Sequence, residues 1–90
     1  MGQKTDKIIK AKALKAEVDE IAVRHGFYKD KYNPVTLSSN YRDPVLPIVF
    51  SFYPTTCTLG ISYDKGPFKW FKNYSLENIK KIFESPLNYI

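Results

Sequence analysis

Between Pro47 and Lys72 the chain reads PIVFSFYPTTCTLGISYDKGPFKWFK, and almost every second residue is apolar. Period-two alternation puts apolar side chains on one side of an extended strand and polar ones on the other, so the stretch predicts antiparallel strands separated by turns. The first strand is Ile48 to Tyr53, with Ile48, Phe50 and Phe52 on one side and Val49, Ser51 and Tyr53 on the other. Pro54 and Thr55 suit the centre of a tight turn, because proline presets the φ of the first turn position. The second strand runs from Thr56 to Tyr63 and sets Cys57, Leu59, Ile61 and Tyr63 against Thr56, Thr58, Gly60 and Ser62. Such a strand buries one face only.

Asp64, Lys65 and Gly66 read as a type I turn followed by a left-handed glycine, the three-residue hairpin with a bulge. In that register Tyr63 pairs with Pro67, Ile61 with Lys69, Gly60 with Trp70, Leu59 with Phe71 and Thr58 with Lys72. Phe68, Trp70 and Lys72 then share the polar face with Thr58, Gly60 and Ser62. A two-residue turn would shift the register by one and send Trp70 into the core.

Helices are expected on both sides of these strands. From Thr5 or Asp6 to His25, the residues Ile8, Ala11, Leu14, Val18, Ile21 and Ala22 form one stripe at helical spacing. Thr5 or Asp6 is placed to cap its start and Gly26 to close its end. Its outer face carries Lys10, Lys12, Glu17, Asp19, Glu20 and Arg24, with the lysines gathered at the amino half, where the macrodipole disfavours cations. A second helix is expected over Leu76 to Glu84, capped by Ser75, stapled by Tyr74 and Ile79, and stopped by Pro86. Its apolar stripe is Leu76, Ile79, Ile82 and Phe83. The stretch 27–46 has the composition of a long loop, with a short edge strand possible near 35–37. No repeat is read in the chain. These elements predict one domain over 1–90, an α+β fold of two layers in the order α-β-β-β-α, with both helices on one face of a three-stranded meander.

With 90 residues, the core must be thin. Aromatic residues make up 16% of the chain and supply much of its buried area. The single cysteine, Cys57, has no partner for a disulfide and there is no Cys/His spacing for a metal, so a reducing compartment and no bound metal are expected. The absence of a long apolar run predicts a cytoplasmic protein without a membrane span. A net charge of +5 suits an anionic partner, and equally an ordinary soluble surface.

No catalytic motif is legible. His25 falls at the end of the first helix with a capping or structural role, Cys57 reads as a small core residue, and the carboxylates are scattered. The chain has no glycine-rich phosphate loop, and no cofactor is expected.

The order helix, three strands, helix resembles the double-stranded-RNA-binding domain in topology and is similar in outline to the small toxin nucleases of the HicA family. The motifs of both are missing. Where the first has a lysine-rich opening to its last helix, this chain has Ser75, Leu76, Glu77 and Asn78; where the second has a Gly-Ser-His strand, this chain has no histidine in any expected strand. No residue role is carried over.

Two functions are expected to compete for the polar sheet face. One is binding of a protein partner or self-association, through this face or a sheet edge, in the manner of small accessory or inhibitor proteins found on mobile elements, centred on Trp70, Phe68 and Thr58. The other is nucleic-acid binding, with bases stacked on Phe68 and Trp70 and phosphates met by Lys65, Lys69, Lys72, Lys80 and Lys81, and with Arg42 adding charge from the loop. The protein partner is favoured, since Asp64, Glu77 and Glu84 interrupt the basic residues.

Overall fold

The computed structural model describes the backbone of residues 3–90 and the side-chain surroundings from residue 6 onward. Helix α1 (Gln3–Arg24) is followed by strands β1 (Tyr28–Asn33), β2 (Ser38–Arg42), β3 (Ile48–Tyr53), β4 (Thr58–Tyr63) and β5 (Lys69–Phe71). Helix α2 (Leu76–Glu84) and a short 3₁₀ turn over Pro86–Asn88 complete the chain. The strands lie in chain order and each neighbouring pair is antiparallel, so the sheet is a five-stranded meander.

Alternation builds the core as expected. Ile48, Phe50 and Phe52 of β3 and Leu59 and Ile61 of β4 share one face, and Val18, Ile21 and Ala22 of α1 pack there with Ile79, Ile82 and Phe83 of α2. Both helices therefore cover the same side. Phe27, at the entry to β1, stands edge-on to Phe50 at 5.0 Å and to Phe83 at 5.6 Å. Ser75 caps α2 by accepting from the Asn78 N–H at 3.3 Å.

The stretch read as a loop over 27–46 is instead the β1–β2 hairpin, and residues 35–37 lie in its turn and not in a strand. With five strands, the outline shared with the two resembled families no longer holds. β1 escapes a pattern reading because all six of its residues, YKDKYN, are exposed. Charge and an irregularity between Lys29 and Tyr32 protect this outer edge, as edge strands require.

The hairpin turn has a twin. Asn33 pairs with Ser38 and Tyr53 with Thr58, so residues 34–37 close one hairpin and residues 54–57 the other. Each loop opens with proline, has threonine third and ends on an apolar residue in the left-handed region, Leu37 at φ 60° and Cys57 at φ 52°. The Thr36 hydroxyl lies 2.8 Å from that of Ser38, and the Thr56 hydroxyl 2.9 Å from that of Thr58. A repeated turn, Pro-x-Thr-apolar-Ser/Thr, is therefore present, against the expectation of no repeat. Left-handed backbone costs an L-residue on the order of 1 to 2 kcal/mol. Burial of the side chain offsets this: Leu37 is buried and Cys57 packs against the core. Cys57 thus belongs to a loop and not to β4, which starts at Thr58.

At the end of α1, Gly26 adopts φ 90° and the Phe27 N–H reaches the Ala22 carbonyl at 2.9 Å. The His25 ring donates to the Ile21 carbonyl at 2.9 Å, the capping role expected of it. The start differs from expectation. The helix runs back to Gln3, so Thr5 and Asp6 are helical positions and not caps, the Thr5 side chain lying outside those described. Residues 6–10 are all exposed, including Ile8 of the expected buried stripe.

Asp19 also moves from the outer face to a seam between layers. The hydroxyl of Tyr41, a fully buried β2 residue, donates to Asp19 Oδ1, while Lys15 Nζ lies 2.6 Å from Oδ2 and 4.8 Å over the Tyr32 ring. Burial first, and then the Asp19 carboxylate, push the Tyr41 hydroxyl far above the ordinary phenol range, so it stays a donor. Asp19→Ala strands that hydroxyl and is expected to cost about 1 to 3 kcal/mol in urea denaturation. In a Tyr41→Phe background the same change should cost much less. Equal losses in both backgrounds would refute the coupling.

Candidate functional site

The β4–β5 turn decides what lies on the side of the sheet away from the helices. The left-handed residues are Asp64 at φ 51° and Lys65 at φ 61°, and the Gly66 N–H reaches the Tyr63 carbonyl at 2.9 Å. This is a two-residue type I′ turn, not the expected three-residue turn with a left-handed glycine. Even so, Trp70 does not go to the core. The offset is taken up between Gly66 and Phe68, outside the ladder, and Leu59–Phe71, Gly60–Trp70 and Ile61–Lys69 pair in the expected register.

Trp70 therefore lies across Gly60. A Cβ added at Gly60 would stand 2.5 Å from Cζ3 and 2.6 Å from Cε3 of the indole. The ring shields the β4 backbone there, stacks on Phe68 with centroids 5.2 Å apart, and meets Tyr53 at 5.7 Å. Ser51, Gly60 and Ser62 are buried on this side although no helix covers them. The aromatic cover and the Gly66 segment close over them, and the Ser62 hydroxyl donates to the Gly66 carbonyl at 2.7 Å. Trp70 remains 43% exposed and Phe68 37%, so the cover is itself open to a ligand.

Two shallow hollows flank it. One, of about 630 Å³, has Phe68, Trp70 and Tyr53 as one wall, Ser38, Asn40 and Ser51 as floor, and Lys31, Asn33 and Pro34 as the far wall. The other, of about 500 Å³, includes Tyr28, Arg42, Val49, Ser62 and Lys65. Both include Asn40 and Phe68, so they form one groove along the sheet with Phe68 as the ridge.

The structure brings together some expected site residues and separates others. Phe68 and Trp70 form the ridge, Thr58 and Lys72 border a smaller hollow beside Trp70, and Lys65 stands at the rim. Arg42 is at the groove, but its Nε is 2.6 Å from Asp30 Oδ2, and this ion pair holds the guanidinium above even its ordinary pKa. Lys69 is turned away: it pairs with the core residue Ile61, and its Nζ lies 5.8 Å from the Phe71 ring centre. Lys80 and Lys81 belong to α2 and so to the other layer. Asn40, Tyr53 and Ser38 were missed. The signal for Ser38 and Asn40 is the alternation of SSNYR, in which Ser39 and Tyr41 are buried and Ser38 and Asn40 only half-buried, and that for Tyr53 is its place with Val49 and Ser51 on the polar side of β3.

Cys57 stands apart from the groove. Its Sγ–H donates to the Tyr74 carbonyl and its own carbonyl accepts from the Tyr74 N–H at 3.1 Å, which ties the β3–β4 turn to the start of α2. Burial pushes its thiol pKa up, away from nucleophilic use. Among the described residues no group of His, Cys, Asp and Glu is placed to hold a metal ion, and no helix is long and apolar enough to cross a membrane. The chain matches no protein-family model, no curated protein and no solved structure.

Proposed function

We infer that this protein is a binding module, of the accessory or inhibitor kind, that takes a polypeptide partner in the groove of its open sheet face. The observation that carries the reading is the exposed Phe68–Trp70 ridge over a floor of small, uncharged side chains. Large rings beside small residues are what concentrates binding energy in protein interfaces. Amides and hydroxyls such as those of Asn40 and Ser38 suit the carbonyl and N–H groups of a polypeptide backbone.

Nucleic acid fits less well. Lys69, Lys80 and Lys81 lie on the other side of the sheet, and Arg42 is paired with Asp30. What favours it is Lys31, Lys65 and Lys72 around the exposed rings.

A photo-crosslinking residue at Thr58 in the native cell separates the two. The expected product is a protein adduct that survives nuclease and is lost with Trp70→Ala, while a crosslinker at Glu77 on α2 gives none. An adduct at Thr58 that nuclease removes would replace the polypeptide reading with the nucleic-acid one. No adduct at Thr58 with one at Glu77 would move the site off this face.

A further inference from the structure

We propose that the protein forms a homodimer through the outer face of α1, the two helices packing antiparallel about a twofold axis near Ala16. The surface is distinct from the groove. α1 is apolar on two opposite sides: Ala11, Val18 and Ala22 face the core, and Ile9, Ala13, Ala16 and Val23 recur at spacings of three, four and seven residues on the solvent side. The latter are all exposed, Ile9 by 60% and Val23 by 56%. That spacing is the one a helix presents to another helix, and the two alanines between the larger ends allow close approach of the axes.

Charge identifies the occupant as a second copy in reverse direction. The amino half of α1 carries Lys7, Lys10 and Lys12 against Asp6, whereas the carboxyl half carries Glu17 and Glu20 against Arg24, which lies 2.7 Å from Glu20; Lys15 and Asp19 pair with each other at the seam with β2. A parallel pair sets lysines beside lysines. An antiparallel pair centred on Ala16 sets Ile9 of each copy toward Val23 of the other and Lys12 toward Glu20. It also lays the lysine-rich amino half beside the negative end of the neighbouring helix dipole, which removes the conflict between those lysines and their own macrodipole. A single helix face lies at the small end of specific interfaces, so the dimer is expected at micromolar concentrations and above.

Sedimentation equilibrium of the full chain across that range tests it. The expected result is a monomer–dimer equilibrium that Ala16→Glu, which sets like charges face to face at the dyad, weakens by about tenfold or more. Ala16 is exposed, and circular dichroism verifies that the variant keeps its fold. Lys12→Glu should weaken the dimer, and adding Glu20→Lys should restore it. Under oxidation, mixed Ile9→Cys and Val23→Cys chains should crosslink above the Cys57 background, and Ile9→Cys alone should not. A monomer throughout, a dimer indifferent to Ala16→Glu, or efficient self-crosslinking of Ile9→Cys would overturn the proposal. Trp70→Ala should leave the equilibrium unchanged, so failure here is distinguishable from failure of the groove.

Discussion

Phe50→Ala is expected to lower stability by about 3 to 5 kcal/mol, the usual cost of emptying a phenylalanine site that cannot collapse. Phe50 is fully buried in the central strand, between the Phe27 ring at 5.0 Å and the Phe83 ring at 4.4 Å. These rings come from the α1–β1 connection and from α2. Both layers lose packing at once, and neither can close the gap without moving a backbone element. A small domain has on the order of 5 to 15 kcal/mol in all, so a sizeable population of the variant should be unfolded at physiological temperature. Chemical denaturation is the check, and a loss under about 1 kcal/mol would show that the core is not centred on this ring.

Gly60→Ala is expected to change the open face more than any other single methyl group. The added Cβ would lie 2.5 Å from the indole, whose rigid ring is also stacked on Phe68 and cannot swing aside as a flexible chain end would. Trp70 must lift off the strand, and overpacking of this kind costs about 1 to 3 kcal/mol. The indole then enters water, so its emission should shift to the red and acrylamide should quench it more readily. Affinity for the polypeptide partner proposed for the groove should fall with it. In a Trp70→Ala background, Gly60→Ala should be nearly silent in stability. A large loss there would mean that β4 itself, and not the ring above it, rejects the methyl group.

How much was legible follows from where burial falls. β3 and β4 alternate cleanly because one face of each meets the helices, and the residues place the Gly60–Trp70 pair correctly even though the turn that precedes it is of another type than they suggest. The difference has a physical cause: Lys65-Gly66 invites the left-handed residue to be glycine, whereas the chain places Asp64 and Lys65 there. β1 was invisible because an exposed edge strand has no apolar face to alternate. β2 carried only one large inward side chain, Tyr41, amid serines and asparagine. The twin proline-threonine turns were the stronger signal, since they fix hairpins by loop chemistry and not by hydrophobic pattern. The groove was half legible for the same reason: its aromatic wall comes from β3, β5 and the segment just before β5, and its floor comes largely from the hairpin that pattern alone did not reveal.

Because the sheet is a meander, every strand pair closes by a short local turn, and the loop-closure entropy of each is small. The packing of α1 on α2 is different in kind. It joins two elements separated by all five strands, and during synthesis α1 leaves the ribosome well before the residues of α2 that complete its cover. The hairpins can zip in sequence on the growing chain, but the layer above them stays unfinished until Phe83 is in place. The kinetic contrast is therefore built into the order of the elements: quick, nearest-neighbour assembly of the sheet, and a closure of its roof that waits for α2.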